Sequence, residues 1–287
     1  MVIHRICFIV IVMISLITSG MSQDKQPVQL FSGSGKAVKY KKLLKDAQQA
    51  DVVLFGEYHN NAIAHWLQYE LTADLIAAGP VVLGAEMFEA DNQEPLNRYL
   101  DGEIDYTGLD TLARLWSNYK TDYAPLVDLA VAHNLPFAAT NIPRRFASMV
   151  YHGGFEALDE LSDEQLAWVA PLPIEYDAEL PGYKAMLEMM GGHGGETLPM
   201  AQAIKDATMA HFILQYFREG ETFIHYNGAY HSDNYEGILW YLKLQAPDLT
   251  YLTITTVEQS QLKSLDAEHK NRADYIIVVD EHMTKTY

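Results

Sequence analysis

Residues 54–72, LFGEYHNNAIAHWLQYELT, place an acid and an imidazole, Glu57 and His59, just after an apolar run that stops at Gly56. Six residues further on come His65 and Gln68. Acid and imidazole groups gathered at one point can share a proton, activate water as a general base, or ligate a metal ion or haem iron. Similar groups recur later: Glu86 in GAEMFEADNQ, Asn141 in TNIPRR and His231 in GAYH. His65 and Gln68 are three apart, and Gln202 and Asp206 in AQAIKDATMA are four apart, so each pair shares a helix face. Taken singly, these residues read as helix caps, a solvent-facing stripe or a satisfied core histidine. What raises them above that is where the surrounding elements put them.

Strands and helices alternate along the chain. DVVLFG (51–56), VVLGAE (81–86), LPFAAT (135–140), TFIHYNG (222–228), LTYLTITT (249–256) and ADYIIVVD (273–280) read as strands. Residues 41–50, 62–78, 91–133, 201–219 and 233–245 read as helical, with Ile63, Leu67, Leu71 and Leu75 at i, i+4 spacing in the second. Residues 143–200 mix helical pieces with Pro and Gly and show no strand signal, which predicts a helical insertion. Residues 23–40 read as an exposed lead-in whose GSGK is a turn, since the Walker spacing is absent. The pattern predicts an α/β fold, a mainly parallel sheet flanked by helices, in one domain spanning 23–287. In such sheets ligands bind outside the carboxyl ends of the strands. Glu57 and His59, Glu86, Asn141 and His231 each follow a different strand at that end. Four polar strand ends together predict a shared site.

Residues 1–22 carry one base, Arg5, then an apolar run from Ile6 to Ile17 and small residues at Ser19, Gly20 and Ser22. This predicts a secretory signal peptide. The one cysteine, Cys7, lies inside it, too early for a lipoprotein acceptor, so the mature chain offers neither disulfide nor thiolate. Cleavage removes one base and no acid and turns the net charge of −18 into −19. That overall balance argues against nucleic acid and anionic membrane partners.

Taken in order, GEYHNNAIAHWLQ, GAEMFEADNQEPLNRYLDG, TNIPRR, AQAIKDATMA and GAYH resemble the ChaN family, haem-binding uptake proteins classed with the Tiki and TraB proteins and related to erythromycin-esterase-like hydrolases. The resemblance runs from about residue 40 to 245. It implies haem binding and iron uptake in a bacterial envelope, with an outer-membrane haem receptor as a further partner. Through the Tiki and esterase relatives it also implies metal-dependent or histidine-based hydrolysis. The family's G-E-x-H residues fall on Glu57 and His59, its next histidine on His65, its strand-end glutamate on Glu86 and its last histidine on His231. Tyr183 and His193 match a tyrosine and a histidine of the corresponding region. ChaN-type proteins are typically lipoproteins. With no cysteine after the apolar run, this chain is expected to be periplasmic, outer-membrane-associated or secreted.

Two chemistries stay open. For haem, YKAMLEMMGGHGG (183–195) would form a methionine-rich lid carrying Tyr183 and His193, with Arg144 and Arg145 on the propionates and His65 lining the pocket. A cofacial or shared haem would imply a homodimer. For hydrolysis, Glu57, His59, Glu86 and His231 would hold Zn, Mn or Co with an open position for water, or act without metal through His59 or His231 as base. Neither H-E-x-x-H nor G-x-S-x-G is present, so a zincin-type helix and a serine nucleophile are not expected. A scaffold without a ligand is the third class, and the polar strand ends argue against it.

Overall fold

The computed structural model of the chain describes residues 25–189 and 195–287. The expected leader, residues 1–22, and His193 lie outside the described residues. Eight strands form one sheet: β1 (Val28–Ser32), β2 (Ala37–Val38), β3 (Val52–Glu57), β4 (Val81–Glu89), β5 (Phe137–Asn141), β6 (Thr222–Gly228), β7 (Tyr251–Gln259) and β8 (Tyr275–Asp280). Their spatial order is β2-β1-β8-β7-β3-β6-β4-β5. From β8 to β5 every neighbouring pair is parallel. The β1–β2 hairpin adds antiparallel to β8.

The hairpin corrects the reading of residues 23–40 as an exposed lead-in. GSGK is a turn, but it joins two strands, and Phe31 is 1% exposed. β2 has only two residues, and β1, VQLFS, sets Gln and Ser among its apolar positions, so neither stands out as an apolar run. The long helical stretch expected over 91–133 is also divided. It holds α3 (Gln93–Leu100), α4 (Tyr106–Leu112), a π-helical turn at Tyr119–Tyr123 and α5 (Ala124–His133).

β3 and β4 open on apolar runs without a break because helices cover both faces, whereas β6 and β7 also bury His225, Asn227, Thr253 and Thr255. Side chains alternate along each strand. Val53 and Phe55 therefore pack toward α1 (Tyr40–Ala47), α2 (Ala62–Ala78) and α5. Val52 and Leu54 pack toward α9 (Thr197–Tyr216) and α10 (Ile238–Gln245). Between β5 and β6 come α6 (Arg144–Gly153), the short α7 (Asp163–Leu166), α8 (Pro181–Met189) and α9, with no strand among the described residues. A separate cluster around Ile142, Phe146, Val150 and Ile204 ties α6 to α9.

Strand order reverses beside β3. The chain runs from β3 to β4 and β5, inserts β6 between β3 and β4, then places β7 and β8 on the other side of β3. Crossovers therefore diverge there and open a crevice at the carboxyl ends of β3, β6 and β4.

Candidate functional site

The period of two decides where the acids point. Glu57 continues the parity of Val53 and Phe55, so it faces α2 and α5. Glu86 shares the parity of Val82 and faces α9. Each acid gathers its own set of partners.

On the α2 side, Glu57 is 1% exposed and takes four contacts. Its Oε1 accepts from His59 Nδ1–H at 2.9 Å and from the Tyr123 hydroxyl at 2.8 Å. Its Oε2 accepts from Gln68 Nε2 at 2.6 Å and lies 3.3 Å from His65 Nδ1. Helix α2 is started by Asn61, whose side chain accepts from the backbone N–H groups of Ile63 and Ala64. That start fixes the helix phase and turns both His65 and Gln68 inward. His65 faces acceptors with both nitrogens: Nδ1 meets Gln68 Oε1 at 3.1 Å, and Nε2 donates to the His59 carbonyl at 3.0 Å. A ring placed so carries two protons. Burial pushes His65 down, but Glu57 outweighs it and lifts the ring to about 9. Burial likewise pushes Glu57 up, yet the hydrogen bonds from His59 and His65 hold it below its ordinary value.

On the α9 side, Glu86 Oε2 accepts from the backbone N–H of Gly228 at 2.7 Å. Its Oε1 lies 3.2 Å from His231 Nε2, and His231 Nδ1–H donates to Asp206 at 2.5 Å. The Gln202 amide lies 2.8 Å from the same nitrogen. His231 is thus an imidazolium clamped by two carboxylates. Burial pulls it down, but the charges of Glu86 and Asp206 win and raise it to about 10. Glu86 is driven up by burial and then held well below the carboxylate range by His231. Burial lifts Asp206 despite that partner.

The two sets meet at Gly228. A Cβ there would lie 2.8 Å from His59 Nε2 and 3.5 Å from Glu86 Oε2. The His59 side chain is 33% exposed, so with Nδ1 anchored its other edge is open to a cavity of about 500 Å³. Tyr58, Tyr230, Arg272 and Tyr287 also line that space. A second cavity of about 440 Å³ lies on the far side of Glu86, between α6 and α9. Its walls include Trp116, Asn141, Arg144, Tyr151, Leu198 and Lys205.

The sequence-predicted residues divide accordingly. Glu57, His59, Glu86 and His231 come together, and Gln202 and Asp206 join them. His65 supports Glu57 from behind, with both nitrogens engaged inside the protein. Arg144 lines the second cavity and makes no ion pair among the described residues, whereas Arg145 is spent on Asp91 at 2.6 Å. Tyr183 is 4% exposed, stacked on Tyr176, and its hydroxyl has no hydrogen-bond partner among the described residues. Tyr123, Asn118 and Asp122 were missed. They lie more than 50 residues beyond Glu57 in a segment with no strand end and no motif spacing. Asn118 donates to both the His59 carbonyl and Asp122.

The expectation of one divalent ion held by Glu57, His59, Glu86 and His231 finds no support. Among the described residues no group of three or more His, Asp or Glu side chains is arranged to hold a metal. The reason is geometric. His231 places both its nitrogens, and His59 its Nδ1, within 3.2 Å of carboxylate oxygens, so these nitrogens are taken up by three different acids and are not turned to one common point.

Residues 43–242 match the family described as haem-binding uptake, Tiki superfamily, ChaN. The chain belongs to this ChaN family. No curated protein matches it. Among solved structures, the ChaN-family chain is similar to the one reporting cofacial haem binding to ChaN of Campylobacter jejuni, with a TM-score of 0.67 and 14% identity over 88% of this chain and 97% of that one. A succinoglycan biosynthesis protein gives a TM-score of 0.52 at 11% identity over 84% and 90% of the two chains. A Bacillus cereus protein gives 0.51 at 12% over 83% and 90%. At these identities the likeness is one of fold.

Proposed function

We propose that this ChaN-family protein captures haem for iron uptake in the bacterial envelope, with residues 1–22 directing its export. The family match carries the reading, and it contains every residue lining the cavity between α6 and α9. The donors there suit haem. Arg144 and Lys205 face the cavity with no ion pair among the described residues, as propionate binding requires. Trp116, Ile142, Ala147 and Leu198 give it apolar wall. The Asn141 Oδ1 is buried without a partner among the described residues. Haem, when bound, supplies a ferric iron that accepts a phenolate or imidazole ligand. Tyr151 on the rim is 36% exposed and offers its phenol directly, whereas Tyr183 is covered. Visible spectra of the hemin complexes test the assignment. Tyr151→Phe is expected to change the spectrum and Tyr183→Phe to leave it unchanged. The reverse result would move the ligand to α8.

Cofacial binding of the kind reported for ChaN of Campylobacter jejuni would, in this chain, be met by two copies facing each other. Sedimentation with and without hemin checks this: a shift from monomer to dimer on adding hemin is expected, and a species unchanged by hemin removes the homodimer.

One observation favours a second reading, hydrolysis without a metal. His59 is held by Glu57 through Nδ1 and shows its other edge to a cavity, the arrangement a general base needs. Ester and peptide hydrolysis that is abolished in His59→Ala would support it, and no turnover in the wild type would remove it.

A further inference from the structure

Residues 36–45, KAVKYKKLLK, hold five lysines and no acid in a chain whose formal charge is −18. That is a quarter of its 20 Lys and Arg in ten positions. In the fold they converge. Lys36 leaves the β1–β2 turn, Lys39 precedes α1, and Lys41, Lys42 and Lys45 lie on it. All five are exposed and line a cavity of about 890 Å³, walled by Tyr251 and Tyr275. Lys270 adds a sixth ammonium stem, with its Cε 3.0 Å from where a Cβ on Gly35 would stand.

The acids here are already committed. Asp46 pairs with Lys42 and accepts from the Tyr275 hydroxyl at 2.6 Å. Asp274 accepts from the Thr253 backbone and hydroxyl at 2.8 and 3.0 Å. Lys36, Lys39, Lys41 and Lys45 make no ion pair among the described residues. Tyr251 and Tyr275 open β7 and β8, so the groove lies at the amino ends of these strands, away from the candidate site.

A second feature adjoins the first. A mainly apolar cavity of about 430 Å³, lined by Val28, Leu30, Val38, Trp66 and Leu67, with Glu70 accepting from the Trp66 indole N–H at 3.0 Å, shares Val38 with the lysine groove. Trp66 on its wall is 51% exposed. Lysines in one cavity and an exposed tryptophan in the cavity adjoining it at Val38 match the layered chemistry of a lipid surface, where phosphates lie above an interface that favours indole rings.

We infer that this face docks on the phosphate groups of an anionic membrane surface, through Lys36, Lys39, Lys41 and Lys45, with Trp66 seated in the interface. The overall negative charge does not oppose this. At physiological salt the screening length is about 8 Å, so the membrane senses the charges that touch it. A nucleic-acid strand fits less well, because a long polyanion extending past the groove would follow a chain whose net charge is −18. Docking here would leave the carboxyl-end cavities free to take a ligand.

The test is co-sedimentation of the full chain with phosphatidylcholine vesicles, with or without phosphatidylglycerol. Binding to the anionic vesicles alone, weakened by salt, is expected. Replacing Lys36, Lys39, Lys41 and Lys45 together by Gln is expected to weaken partition at least about tenfold. These positions are exposed, so the melting temperature should hold. Trp66→Ala should weaken binding while leaving its salt dependence unchanged. Binding that survives the four substitutions and high salt would place attachment on residues 1–22 and overturn the inference. So would equal binding to neutral vesicles, no binding at all, or tighter binding of a short single-stranded oligonucleotide than of the vesicles.

Discussion

His59, two residues past the end of β3, and Glu86, within β4, belong to strands that do not touch in the sheet, yet they meet across the bare backbone of Gly228. β6 lies between β3 and β4 and ends in this glycine, whose N–H also binds Glu86. The site closes because that residue has no side chain. Gly228→Ala would set a methyl 2.8 Å from His59 Nε2. Such overpacking costs about 1–3 kcal/mol. The variant is expected to fold with a lower Tm and a displaced His59 ring. Unfolding curves together with imidazole NMR shifts check it, and an unchanged His59 resonance would count against the geometry.

Glu57 has the most partners at stake. Its carboxylate satisfies His59, Gln68 and Tyr123 and balances His65, all within a buried region. Breaking a buried pair from one side costs about 3–5 kcal/mol, so Glu57→Ala should lose that much in urea unfolding. Tyr123→Phe removes one hydrogen bond to a charged group and should lose about 1.5–3 kcal/mol. Equal losses for the two would mean that Glu57 does little beyond accepting from Tyr123.

The two buried imidazolium rings set an alkaline limit. His65 is lifted to about 9 and His231 to about 10, above the ordinary 6.5. A folded-state value above the unfolded one means that folding favours the protonated ring. Its contribution is complete below about 6.5 and fades as pH rises through 9 and 10. Tm measured against pH should therefore fall across that interval, and more gently in His65→Gln. A Tm that is flat to pH 10 would show that the rings are neutral in the fold.

Much of this was legible because of how parallel sheets are built. VVLFG, VVLGA and IIVVD announce strands covered on both faces, and β3, β4 and β8 are there. Reading only the residues at their carboxyl ends singled out Glu57, His59, Glu86 and His231. Gln202 and Asp206 could be read as sharing a face but not as reaching His231, since that depends on how α9 crosses the sheet. Gly237 shows the same limit. It breaks the helix expected over 233–245 at a φ of +56, where a Cβ would fall 2.2 Å from the His231 carbonyl. Nothing local marks that close approach. Tyr123 was invisible for a related reason, because its partner lies 66 residues away. The net charge is limited in another way: an average over the chain does not show the run of lysines that occupies a single face.

The central claim is haem capture between α6 and α9, and a hemin titration followed by visible absorbance tests it most directly. The account predicts a saturable spectral change at about one haem per chain, with affinity lowered about tenfold or more when Arg144→Glu and Lys205→Glu turn the propionate donors into acids. A titration that never saturates, or one that the double substitution leaves unmoved, would contradict it.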